Sequence, residues 1–228
     1  EIAQSESLSG KPLANYWMHN GYIHINNEKM SKSLGNGINV RELLQITDAK
    51  VIRFFMLSTH YRNPLNFMED TVEQAEHSLE RITICVNNLL YRLNQAGDGA
   101  ADAALQERVG HIMHTFQSKM DDDFNTPDAI TTMFELVNEA NSLLQKEQTA
   151  KASLAMLYES FQKMDSVLGI MKVKADELLD DDVERLIAER IDARAQKKWA
   201  RADEIRDLLT EQGIILEDTP QGLRWRRK

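Results

Sequence analysis

Apolar positions along most of this chain recur every three or four residues, the period of an amphipathic helix. From Val40 to Ile46 the pattern predicts one short helix. Thr47 or Asp48 is placed to cap the next, which runs from Ala49 through Phe54 and Phe55 to Leu57. A long helix starts at Asp70 or Thr71 and carries Val72, Ala75, Leu79, Ile82, Val86, Leu89 and Leu90 at helical steps. It stops in the loop sequence Gln95-Ala96-Gly97-Asp98-Gly99. Three more helices follow, at Leu105–Met120, Ala129–Leu144 and Ala152–Leu168, with Gly169 as the C-cap of the last. These four are expected to form an antiparallel bundle joined by short polar loops. Lys172 to Asp182 is polar and acid-rich and reads as a linker. Beyond it, helices at Val183–Arg194 and Trp199–Thr210 lead to two short strands, Ile214–Glu217 and Leu223–Arg226, on either side of a Pro/Gly turn.

The N-terminal end follows a different pattern. Two β-prone runs, Tyr16–His19 and Tyr22–Ile25, flank Asn20-Gly21, a strong two-residue turn signal, and predict a short hairpin. His19 and His24 are read as satisfying local hydrogen bonds. The stretch from His60 to Phe67 is broken by Pro64 and predicts irregular structure. The first residues start partway into an amphipathic pattern, which reads as a piece of a longer protein. The fold class is therefore mainly α, ending in a small α+β module.

Composition narrows the possibilities. A chain of 228 residues can bury one large core or two to three small ones. With 10 Gly and 4 Pro, many-stranded and collagen-like architectures are disfavoured. No apolar run is long enough to cross a membrane. Cys85 is the single cysteine, so no intrachain disulfide framework exists, and a cytoplasmic setting is expected. On its helix Cys85 reads as core. The net charge of −9 argues against non-specific phosphate binding. Charge is unevenly spread, however: Val183 to Lys228 holds eleven Lys/Arg against nine Asp/Glu, and Arg224-Trp225-Arg226-Arg227-Lys228 ends it. A local, specific RNA contact stays open, with Trp199 and Trp225 as base-stacking candidates or as packing for a small core.

Two motifs carry candidate chemistry. In Lys29-Met30-Ser31-Lys32-Ser33-Leu34-Gly35-Asn36, two lysines lie three residues apart among hydroxyl side chains. Ammonium groups suit phosphate oxygens, and Gly35 and Asn36 tolerate left-handed backbone, so a mobile loop closing over a triphosphate is the natural reading. The second motif is Met120-Asp121-Asp122-Asp123-Phe124-Asn125-Thr126-Pro127. Three adjacent carboxylates suggest a metal, but consecutive side chains diverge, whereas hard cations need oxygens that converge. Thr126 as N-cap, with Pro127 in the first turn, gives the structural reading.

The lysine motif resembles the signature loop of class I aminoacyl-tRNA synthetases. Together with Glu1-Ile2-Ala3-Gln4-Ser5-Glu6, Tyr16-Trp17-Met18-His19-Asn20-Gly21, the Met120–Pro127 run and Leu216-Glu217-Asp218-Thr219-Pro220-Gln221-Gly222, it resembles the C-terminal half of bacterial cysteinyl-tRNA synthetases. That resemblance implies the end of a nucleotide-binding catalytic domain (1–38), a stem-contact region (39–68), a helical bundle (69–171), a linker (172–182) and an anticodon-binding domain (183–228). It implies Lys32 as the ATP-binding residue, with Lys29 beside it in stabilising charge. Glu1 corresponds to one zinc ligand, and Arg194, Trp199, Asp203 and Asp218 to anticodon contacts. Its implied ligands are cysteine tRNA, cysteine and Mg-dependent ATP, and its implied state is a monomer. The family's His-Ile-Gly-His type motif and its remaining zinc ligands are absent, so this segment alone is expected to hold no zinc and to be catalytically incomplete. Gly37 stands where the family usually has phenylalanine. Two alternatives remain: a stand-alone tRNA-binding module, and the related ligase that joins cysteine to an amino-sugar in thiol biosynthesis.

Overall fold

The computed structural model describes residues 1–31, 35–146, 148–171, 181–196, 198–211, 214–219 and 222–227. Among them the order is α1 (Ile2–Ser9), β1 (Ile23–Ile25), β2 (Glu28–Lys29), α2 (Val40–Ile46), α3 (Ala49–Leu57), β3 (Leu65–Phe67), α4 (Glu69–Gln95), α5 (Ala103–Asp121), α6 (Thr126–Leu144), α7 (Lys151–Leu168), α8 (Asp181–Ala195), α9 (Trp199–Glu211), β4 (Ile214–Thr219) and β5 (Gly222–Arg227). The mainly helical fold class read from the sequence is the one observed.

Helices α4 to α7 share one core. Leu79, Ile82, Leu89, Leu136, Leu154, Leu157 and Phe161 are fully buried there. Each such side chain contributes roughly 1.5–3 kcal/mol by leaving water, which is why the 3.6-residue pattern locates these helices well. Cys85 lies in this core, and burial pushes its thiol up to about 12, so it is inert as a nucleophile. Gly169 closes α7 with φ 64, the left-handed C-cap. The Asp165 carboxylate then accepts from the Ile170 and Met171 N–H groups, both at 2.7 Å. Helix α3 docks onto that end: the Lys50 ammonium donates to the Gly169 carbonyl at 2.7 Å, and the Arg53 guanidinium donates to the Leu168 carbonyl. Cations at a helix C-terminus satisfy its last carbonyls and its dipole together.

Four local expectations are corrected. The run Tyr16–His19 is not a strand, and the hairpin turns at Asn26-Asn27. Those residues have φ 51 and 68, the pair of positive values a type I′ turn requires. The Asn20-Gly21 signal has another origin. A Cβ on Gly21 would lie 2.2 Å from the Asn63 carbonyl oxygen, so glycine here allows two backbone segments to meet. The stretch expected to be irregular contains β3, which pairs in parallel with β1, Ile23 opposite Leu65 and Ile25 opposite Phe67. Finally, Asn125 rather than Thr126 is the N-cap of α6, its side chain accepting from the Asp128 N–H. The Thr126 hydroxyl donates instead to the Leu57 carbonyl at 2.7 Å, tying α6 to the end of α3.

Helix α8 and strands β4 and β5 extend further than their patterns. Residues 172–180 of the expected linker lie outside the described residues, and Asp181 and Asp182 already belong to α8. Strands β4 and β5 pair antiparallel from Ile214 opposite Arg227 to Thr219 opposite Gly222. Ile187, Ile205, Leu209 and Ile214 form a second, smaller core beneath them.

Candidate functional site

The lysine loop leaves a small three-stranded sheet ordered β2-β1-β3. Lys29 is the last residue of β2 and pairs with His24. Its ammonium sits 4.0 Å from the centre of the Tyr22 ring, a cation–π contact contributing about 0.5–1 kcal/mol at an exposed site. The turn feeding β2 is fixed from the neighbouring strand: Asn66 Oδ1 accepts from the Asn27 N–H at 3.0 Å, and Asn66 Nδ2 donates to Asn27 Oδ1 at 2.8 Å. Lys32, Ser33 and Leu34 lie outside the described residues.

Downstream of them the backbone returns to the same place. Gly35 takes φ 66, as expected for a left-handed position. Asn36 plays a part that the sequence reading did not anticipate. Its Oδ1 accepts from the Ser31 N–H at 2.9 Å and its Nδ2 donates to the Lys29 carbonyl at 3.3 Å. One carboxamide therefore joins the two ends of the loop. The signal was present as an Asn after Gly, but that pairing reads first as backbone permissiveness. Asn39 next caps α2, accepting from the Arg41 N–H at 3.0 Å.

Glu1 stands at the N-cap of α1 with its side chain exposed and no capping bond from it. No group of three or more His, Cys, Asp or Glu among the described residues is arranged to hold a metal. A lone carboxylate does not fit a four-ligand zinc site. A groove of about 1070 Å³ lies between α2, β3 and the start of α4. Glu42, Glu69, Glu73 and Glu76 line it, a charge set that repels phosphate, so this groove is not the complement of the lysine loop.

The acidic run is resolved as a structural junction. Asp123 has φ 54 and turns back toward the segment after α3. Its carboxylate accepts from the Tyr61 hydroxyl at 2.7 Å and from the Arg62 guanidinium at two nitrogens, while His60 Nε2 lies 3.1 Å from its carbonyl oxygen. Those donors, Arg62 first and Tyr61 next, hold the Asp123 carboxyl down at about 2.

The tail residues are only partly brought together. Arg194 lies in the last turn of α8, and Trp199 opens α9 after a turn closed by the Lys198 N–H to the Ala193 carbonyl at 2.8 Å. Asp203 is one turn further along α9 on the same face as Trp199, 3.7 Å from Arg206. Trp199 is 57% exposed, which removes it from the small core and leaves its ring open. Asp218 is on β4 opposite Leu223; the side chains of Asp218 and Trp225 lie outside what is described.

Residues 1–77 match the family model described as the tRNA synthetases class I (C) catalytic domain. Residues 115–172 match the DALR domain, and residues 176–226 the cysteinyl-tRNA ligase anticodon binding domain. These matches define the class as the class I aminoacyl-tRNA synthetases. A cysteine–tRNA ligase of Oceanobacillus iheyensis is 52% identical over 232 residues, and one of Halalkalibacterium halodurans is 49% identical over 227 residues. Both alignments cover 100% of this chain and 49% of the relative, so the chain spans about half the length of the curated relatives it matches. The chain belongs to the cysteinyl-tRNA synthetase family.

Proposed function

We propose that this chain serves the ATP-dependent attachment of cysteine to its tRNA. In that reaction the cysteine carboxylate attacks the α-phosphorus of ATP, giving cysteinyl-adenylate and pyrophosphate. The tRNA 3′-terminal hydroxyl then takes the cysteinyl group and AMP leaves. One observation carries the reading: a class I catalytic-domain match and a cysteinyl-tRNA ligase anticodon-domain match occur in one chain, in that order. The second match also favours tRNA over an amino-sugar as acceptor.

Within this reading the division of labour is the one implied by the sequence: residues 1–38 as catalytic-domain end, 39–68 as stem contact, 69–171 as bundle, 172–182 as linker and 183–228 as anticodon reader. Lys29 and Lys32 stabilise the charge that develops as pyrophosphate departs, and Lys32 binds ATP. The position of Lys29 at a strand end beside a closed loop base supports its role, because a fixed anchor costs little reorganisation during the reaction. Arg194, Trp199, Asp203 and Asp218 read the anticodon: carboxylates accept from base amino groups, Arg donates to base acceptors, and an exposed indole stacks. ATP is used with Mg²⁺. Zinc belongs to a site to which this chain brings Glu1 alone, and no step here runs through it. The protein acts in the cytoplasm as a monomer. Among the described residues no helix is long and apolar enough to cross a membrane.

Binding of this chain to cysteine tRNA, and to the same tRNA with one anticodon base changed, tests the reading at a fixed salt concentration. A loss of about 1–3 kcal/mol per changed base is expected. Equal affinity for both tRNAs would remove the anticodon reader. Cysteine-dependent ATP–pyrophosphate exchange is expected to be absent with this chain alone.

A further inference from the structure

The acidic run at Met120–Pro127 has no part in the function just described, yet its third carboxylate bonds across to the segment that leads into the sheet carrying the lysine loop. We propose that Asp123 is a positioning residue for Lys29, acting through Tyr61 and Tyr22. The inference builds on the reading of Lys29 as a phosphate-binding lysine, although its test does not depend on that reading.

The connection is continuous. Asp123 sits in the α5–α6 turn and grips the side chains of Tyr61 and Arg62. The backbone of that same segment grips Gly21: the Tyr61 carbonyl accepts from the Gly21 N–H at 2.7 Å, and Asn63 leaves no room for a side chain there. Tyr22, the next residue, accepts at its carbonyl from the Leu65 N–H at 2.9 Å and holds the Lys29 ammonium against its ring. Segment 60–64 is thus a clamp with the bundle on one side and Gly21-Tyr22 on the other. Among the described residues, the other links beside it are the Thr126 hydroxyl on the Leu57 carbonyl and the burial of Leu65 in the bundle core. Releasing Asp123 frees the clamp, and the Tyr22 ring loses its fixed relation to Lys29.

Three features of this junction argue against an incidental surface ion pair. Asp123 uses both carboxylate oxygens and its carbonyl at once. It does so from a left-handed backbone position, which a non-glycine residue adopts only when the surroundings hold it there. The Tyr61 ring is also stacked on His60, centroids 4.9 Å apart, so the two side chains approach Asp123 as one unit.

The test reads Lys29 directly. Reductive ¹³C-methylation of the chain keeps the lysine charge, and the Lys29 signal is assigned by its loss in Lys29→Arg. The Tyr22 ring shifts that signal, and Tyr22→Leu sets the full size of the shift. Asp123→Asn and Tyr61→Phe are each expected to abolish at least half of it. Asp128→Asn, which breaks the 2.9 Å Lys119–Asp128 pair in the same turn, is expected to leave it in place. An unchanged Lys29 signal in Asp123→Asn with a lowered melting temperature would reduce Asp123 to a structural residue and overturn the proposal. Should Asp123→Asn not fold, Tyr61→Phe decides alone by the same criterion. Failure of anticodon-dependent tRNA binding would leave this signal untouched, so the two ideas fail separately.

Discussion

The bundle of α4 to α7 and the loop-bearing region before it are held together by different means. In the bundle, large side chains are fully buried and neighbouring helices supply one another's partners. The first 68 residues instead leave Leu8, Tyr16, Trp17, Met18, Tyr22, Val40 and Ile46 at the surface. Among the described residues there, only Leu43, Val51, Phe54, Phe55 and Leu65 are buried. Val51, Phe54, Phe55 and Leu65 pack into the core of the bundle itself, and the rest of the region takes its order from backbone contacts between remote segments and from side-chain clamps such as Asn36, Asn66 and Asp123. The difference separates stability from positioning: the bundle supplies a rigid body into which α3 and β3 are packed, and a handful of polar bonds orient the loop-bearing segments that extend from them.

Mutations sharpen this contrast in a predictable order. Phe161→Ala in the bundle is expected to cost about 3–5 kcal/mol in denaturant melts, through lost burial and an unfilled cavity. Tyr16→Ala, equally large but 90% exposed, is expected to change stability by less than about 0.5 kcal/mol. A comparable cost at both sites would erase the distinction. Gly21→Ala comes next, at roughly 1–3 kcal/mol, because its Cβ meets the Asn63 backbone and the parallel β1–β3 pair must part. Amide exchange should quicken in those strands and not in α6. Asp165→Ala should cost about 1–2 kcal/mol by leaving the Ile170 and Met171 N–H groups unbonded.

The smallest effect is one of pH. The folded-state carboxyl of Asp123 lies at about 2, below its ordinary value near 3.9. Its stabilising contribution is therefore complete above about pH 4 and is lost as pH falls through 2. The difference in melting temperature between the parent and Asp123→Asn should shrink across that interval and be constant above it. A difference that instead grows on acidification would mean that the Arg62 pair does not set this carboxyl.

Legibility in the sequence followed the same division. Helix α2 falls at Val40–Ile46 and α3 at Ala49–Leu57, and the apolar stripe of α4 is the buried one, because burial at 3.6-residue spacing is written locally. Gly169 was legible for a similar reason, since a helix C-cap is a local device. The loop region was not. Asn20-Gly21 carries a turn signal, but Gly21 is there because Asn63 comes within touching distance, a fact set by residues forty positions away. Strand β3 escaped notice because Pro64 precedes it, although a strand may begin just after a proline that has no donor to give. Asn36 was read through its backbone when its carboxamide matters. Consecutive carboxylates in the acidic run show a charge pattern, yet nothing local points to Tyr61 and Arg62 as the partners of Asp123.

Native-state amide hydrogen exchange on this chain tests the central contrast most directly. Amides of Ile82, Leu89, Leu136 and Leu157 are expected to exchange only through global unfolding, while those of Ile23, Ile25 and Leu65 open locally at lower free energy. Asp123→Asn should lower the second set further and leave the first nearly unchanged. Exchange of both sets at one common free energy, falling together in the variant, would contradict the account, because bundle and loop region would then be a single cooperative unit.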